Sequence, residues 1–184
     1  MVELGRQILH MLFGTMLLFI ANFAGRDLTI LLLGIILLLG LMFVQLKIEG
    51  WRNKFIDFML ETFDRRERIP ARGGLTYVAG ALFLFSAVDF NFAMGILAIL
   101  AFGDGFATLV GVSGTRPLPF NKNKTWDGLG AFILAGVASS MFFLGLQNAV
   151  IYSLLLAVVE SVDLKVDDNI LIPFAASVLR NFIR

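Results

Sequence analysis

Leu-Thr-Ile-Leu-Leu-Leu-Gly-Ile-Ile-Leu-Leu-Leu-Gly-Leu-Met-Phe-Val-Gln-Leu, residues 28–46, carries no charged side chain. A helix needs about 20 apolar residues to cross the hydrocarbon core of a bilayer, and this run meets that length. The rest of the chain agrees. Of its 184 residues, 58% are hydrophobic and only 16% charged, and the mean hydropathy is +0.85. Soluble domains are about half apolar, so a multi-spanning membrane protein is expected. Strand-period alternation is missing, which argues against a porin-like barrel.

Outward from 28–46, further apolar segments cover roughly 7–24, 74–88, 91–112, 127–146, 148–161 and 169–183. The expectation is an all-α, polytopic transmembrane helix bundle forming one domain over 1–184. About seven spans are counted, with six as the alternative because the third, sixth and seventh segments are short. Glu3 and Arg6 precede the first run and no small-residue cleavage site follows it, so it reads as a retained helix. Trp51, Phe55, Phe58, Met59 and Thr62 repeat at helical spacing opposite Lys54, Asp57, Glu61 and Asp64. That pattern predicts an interfacial amphipathic helix near 51–64.

Loop charge sets the orientation. Residues 47–72 hold seven basic side chains, among them Lys47, Arg52 and Arg72, and loop 112–126 holds Arg116, Lys122 and Lys124. The alternate loops offer Arg26 with Asp27, Asp89, then Gln147 and Asn148. Basic loops mark the cytoplasmic side, so the N-terminus and both rich loops are expected there. The net charge of +1 gives no reason to expect nucleic acid as a partner. Zero cysteines exclude disulfides, thiolate metal sites and cysteine nucleophiles.

This orientation gathers three polar segments on one face. Asp104 lies in Ala-Phe-Gly-Asp-Gly-Phe-Ala, where an ionised carboxylate needs a partner, a metal or water. Gly103 and Gly105 beside it allow close approach of a ligand or of another helix. The stretch 117–128 reads as a loop entering a helix near Asp127; helix N-termini favour anions, and Lys124 adds a point charge suited to phosphate. It is not a Walker A motif. Glu160, Asp163, Asp167 and Asp168 crowd between two apolar runs, a repulsion that a divalent cation or a lysine would relieve. Hard oxygen ligands suit Mg²⁺ together with substrate phosphates. Arg6 and His10 share a helix face, as phosphate ligands or headgroup anchors. Pro173 is expected to interrupt the last segment. These features point to an enzyme handling a nucleotide at a membrane surface.

Gly-Asp-Gly-Phe-Ala-Thr-Leu-Val-Gly (103–111), Leu-Pro-Phe-Asn-Lys-Asn-Lys-Thr-Trp-Asp-Gly (118–128) and Val-Glu-Ser-Val-Asp-Leu-Lys-Val-Asp-Asp-Asn-Ile-Leu-Ile-Pro (159–173) resemble the polyprenol kinase family. That family includes dolichol, phytol and farnesol kinases and the CTP-dependent diacylglycerol kinase of yeast type. The phytol kinase branch looks nearest. The resemblance covers about 100–183, and more weakly Arg6-x3-His10 and 67–77. It implies an integral membrane kinase that moves the γ-phosphate of CTP onto a lipid hydroxyl. Asp104, Lys124, Glu160, Asp168 and Asn169 correspond to the family's acids, basic step and amide. Two departures are visible: Gln7 stands where a lysine is usual, and the stretch after Gly111 lacks a basic run.

The expected division of labour follows. Asp104 with Glu160 or Asp168 holds Mg²⁺ on the triphosphate. Lys124, helped by Arg6, Lys122, Thr125, Asn169, Gly103 and Gly105, binds nucleotide and phosphate. His10 or a carboxylate takes the proton of a lipid alcohol arriving from the bilayer. The rival readings are a CDP-lipid synthase, which attacks the α-phosphate of CTP, and a small ion or proton-coupled transporter.

Overall fold

The computed structural model describes residues 2–54, 57, 58, 60, 69–162 and 164–183. Its described residues form helices and no β-strand: α1 (Val2–Ile48), α2 (Arg72–Ala87), α3 (Phe90–Ala98), a π-helical segment (Ile99–Asp104), α4 (Gly105–Gly111), α5 (Trp126–Leu144), α6 (Leu146–Ser161) and α7 (Asp168–Leu179). The architecture is a helical membrane bundle. Leu4–Ile48, Phe90–Gly111 and Trp126–Leu144 are long and apolar enough to cross a membrane, while Leu146–Ser161 and Asp168–Leu179 are shorter apolar helices.

The first two apolar runs form a hairpin without a loop. Gly25 interrupts α1 with φ 72° and ψ 177°, a conformation glycine adopts without steric penalty. Gly14 packs against Tyr77 and Ala101, and Gly40 packs against Leu75. A straight helix would separate residues 14 and 40 by roughly 39 Å at 1.5 Å per residue, yet both touch the same end of α2. The chain therefore reverses at Gly25. The turn thus falls in the gap expected between segments 7–24 and 28–46, beside Arg26. Its guanidinium donates to the carbonyls of Phe85 (2.8 Å) and Ser86 (3.1 Å), closing the C-terminal end of α2.

Helices α3, the π segment and α4 make the central span. Its most apolar stretch is 67% buried within the protein, against 17% for α1 and 22% for α5, so it is the one the others surround. Helix α3 is buried from Phe92 to Ala98. Small residues permit the close crossings usual between membrane helices. Gly95 lies against Leu144, Gly136 against Ser153, and a Cβ on Gly128 would sit 2.9 Å from the Ala107 carbonyl oxygen. Outward-facing Phe19, Leu38, Leu134 and Phe142 are exposed, as side chains toward lipid should be.

Asp89 caps α3 through the Phe92 amide (3.0 Å) and pairs with Arg180 from the end of α7. These residues and Arg26 mark one end of the bundle. The three polar segments meet at the other. Residues 51–53 are irregular; most of the amphipathic helix expected near 51–64 lies outside the described residues, as does Asp163. Pro173 does not interrupt α7. The Asn169 carbonyl, which loses its helical donor at Pro173, presses instead on Gly80 of α2.

Candidate active site

Asp104 ends the π-helical segment of the central span. Such wide turns are uncommon and tend to occur at functional positions. The flanking glycines serve helix packing: a Cβ on Gly103 would sit 3.2 Å from the Phe132 ring, and one on Gly105 would sit 2.6 Å from Met11. Helix α1 is thereby held tightly on the span, which brings His10 over the π turn. His10 Nε2 lies 3.2 Å from the Leu100 carbonyl oxygen and 3.7 Å from Asp104 Oδ2. A carbonyl oxygen only accepts, so Nε2 is the donor of the Leu100 contact.

Loop 112–126 is pinned at both edges. The Leu118 amide donates to the Lys124 carbonyl (2.8 Å), the Trp126 amide to Arg116 (3.0 Å), and the Lys124 amide to Asn121 (3.1 Å). Buried Asn121 ties this loop to α6. Its Nδ2 donates to the Ser161 carbonyl (2.9 Å), while its Oδ1 accepts from the Asn123 amide (3.0 Å). Thr125 caps α5 by accepting from the Gly128 amide (3.1 Å). Lys124 is so placed beside the last turn of α6, where it pairs with buried Glu160.

The third segment enters from α7. Asp167 is the N-cap, accepting from the Asn169 amide (3.0 Å). Asp168 occupies the first turn, where the helix dipole favours a negative charge. Asn169 reaches back to α2, donating to the Gly73 carbonyl (3.3 Å) and to Thr76 Oγ1 (3.4 Å). Its Oδ1 is buried and without a hydrogen-bond donor among the described residues.

Carboxylate oxygens of Asp104, Glu160 and Asp168 converge within 4.8 Å of one another. Lys124 is their close cation, bonded to Glu160 and 3.8 Å from Asp168. Burial acts to lower the Lys124 pKa, and the charges of Glu160, Asp168 and Asp104 more than reverse that, leaving it raised. Three carboxylates against one ammonium leave a negative excess in a partly buried place. All-oxygen donors at this spacing fit a hard divalent cation such as Mg²⁺, which binds one or two carboxylates and keeps positions for phosphate oxygens.

This cluster borders a cavity of about 710 Å³. Arg6, His10, Asp104, Lys124, Asp168 and Asn169 give it polar walls, and Leu9, Leu12, Phe13, Met16 and Phe43 give it apolar ones. A second cavity of about 230 Å³ lies behind Lys124, against Thr125, Gly111, Gly128 and Glu160. Lys122 is exposed and borders neither cavity. Gly103 and Gly105 face neighbouring helices. Sequence reasoning named neither Tyr77, Gly73 and Gly74 as cavity wall nor Asn121 as the tether. The signal for Asn121 was its place in the quoted loop motif, and that for Tyr77, Gly73 and Gly74 was the weaker resemblance over 67–77.

No protein-family model and no solved structure matches the chain. An uncharacterised protein of Methanocaldococcus jannaschii is 26% identical over 188 residues, 98% of this chain and 94% of that protein. A probable chloroplastic phytol kinase of Triticum aestivum is 34% identical over 131 residues, which is 60% of this chain and 43% of that protein. A probable chloroplastic phytol kinase 2 of Glycine max is 36% identical over 126 residues, 56% of this chain and 42% of that protein. The chain thus spans less than half the length of the plant relatives it matches. Over the matched part, these likenesses support a prenol-kinase-like family.

Proposed function

We propose that this chain is a membrane-embedded lipid alcohol kinase that transfers the γ-phosphate of CTP to a prenol such as phytol or geranylgeraniol. One observation carries the reading: the three-carboxylate cluster with Lys124 borders a cavity whose walls are part polar and part apolar. A substrate with a hydroxyl head and a hydrocarbon tail matches that polarity. Likeness to proteins described as probable phytol kinases supports it. By the charge of its loops, the cluster faces the cytoplasm, where nucleotide is available.

Phosphoryl transfer asks a protein mainly for positioning and charge neutralisation. Asp104, Glu160 and Asp168 would hold Mg²⁺, which supplies charge neutralisation on the triphosphate. Lys124 and Arg6 place positive charge beside the phosphates. The lipid oxygen attacks the γ-phosphorus, the bond to the β-phosphate oxygen breaks, and CDP leaves. The hydroxyl proton passes to His10 or to a carboxylate of the cluster.

Membranes containing the chain, incubated with a prenol and CTP labelled in parallel at the γ or the α position, test the reading. Label should reach lipid from the γ position alone. Label entering only from the α position would replace the kinase by a CDP-lipid synthase.

A further inference from the structure

The cavity is longer than its polar chemistry requires. Arg6, Leu9, Phe13 and Met16 follow one another at three- and four-residue steps, with His10 four residues after Arg6, and so share a face of α1. Along it the lining changes from polar to apolar, with roughly 9 Å from His10 to Met16 at 1.5 Å per residue. Tyr77 marks the junction. Its ring stands edge-on to His10 at 4.9 Å and to Phe13 at 5.5 Å. Opposite, a Cβ at Gly73 or Gly74 would meet nothing within 4 Å, so side chains there would project into open space. Among the described residues on this face, none beyond Met16 borders the cavity. Leu12 and Met16 are exposed.

We infer that this apolar arm holds the first part of a single isoprenoid tail, up to about the length of a geranyl chain, and that Met16 sets the limit. The inference rests on the lipid-kinase reading for the position of the hydroxyl, at the His10 and Asp104 end. A tail leaving bilayer for protein exchanges one apolar surrounding for another, so the gain comes from packing and stays modest. Chain beyond Met16 leaves the arm and returns to the bilayer, where the protein no longer discriminates.

The test compares dimethylallyl alcohol, geraniol and farnesol at equal mole fraction in nanodiscs, by γ-phosphate transfer and by the shift in melting temperature that each alcohol causes without nucleotide. Both readouts should rise from dimethylallyl alcohol to geraniol, by about tenfold in kcat/KM, and level off at farnesol. Met16→Trp, which fills the end of the arm, should move the plateau back to dimethylallyl alcohol. Met16→Ala should extend the rise to farnesol, and the KM for CTP should stay unchanged in both variants. A plateau that ignores both substitutions, or equal losses for all three alcohols, overturns the inference while the kinase reading stands. Chain-length-dependent melting shifts with no phosphate transfer would support the arm and sink the kinase reading alone.

Discussion

Replacing Lys124 by Met strips the carboxylate cluster of its close cation while keeping the length of the side chain. Glu160 is almost fully buried and sits with Asp104 and Asp168 within 4.8 Å. Removing one partner of a fully buried ion pair costs about 3–5 kcal/mol. Lys124 retains 32% exposure, so solvent screens part of that loss and about 2–3 kcal/mol is expected. For a chain of this size, that corresponds to a drop of about 5–10 °C in melting temperature. Magnesium should reverse it, since a cation at about a hundredfold excess over its Kd contributes about 2.7 kcal/mol. In the wild type the ion must displace Lys124 from Glu160, so its stabilising shift should be smaller than in Lys124→Met. Thermal unfolding in detergent, titrated with MgCl2 and followed by tryptophan fluorescence, reads both effects. A metal-free variant that melts with the wild type, or a magnesium shift no larger than the wild type's, would refute the reasoning.

Other perturbations probe the supports of the site. Gly80→Ala drives a Cβ into the Asn169 carbonyl; overpacking of this kind costs about 1–3 kcal/mol. Asp168 should be displaced with α7, which would appear as weaker magnesium stabilisation beyond the loss in melting temperature. Thr125→Ala removes the α5 cap and should lower stability by about 1 kcal/mol, read by urea-dependent inactivation. The raised Lys124 pKa gives an alkaline test. A cation whose pKa is raised on folding contributes fully below its unfolded value, near 10.5, and loses that contribution as pH rises through the folded value. The melting gap between wild type and Lys124→Met should therefore hold constant up to that pH and close above it.

Much of the bundle was readable because lipid constrains the chain so strongly: backbone groups must pair within each segment, and length and polarity then mark the helices. The segments expected at 91–112 and 127–146 correspond to Phe90–Gly111 and Trp126–Leu144. The reversal between segments 7–24 and 28–46 was legible too; what periodicity could not reveal is that Gly25 makes it without a loop. A glycine flanked by helix formers reads like any other until Gly14 and Gly40 are seen against the same helix end. Pro173 shows the opposite failure. Proline predicts an interruption, but the close Gly80 surface lets α7 run on despite the missing hydrogen bond.

By itself, the order of residues determined that this protein lives in a bilayer and that its acids, lysine and glycines would gather at one end. Charge in short loops and the high penalty for polar groups in hydrocarbon leave few alternatives. Tertiary structure decided which acids converge. Asp104, Glu160 and Asp168 come from three different helices, and their distances depend on a π turn, a tethered loop and a capped helix start. It also decided that the cluster opens into a half-apolar cavity. Such a cavity forms from gaps between packed helices, and no single segment carries the information for a gap.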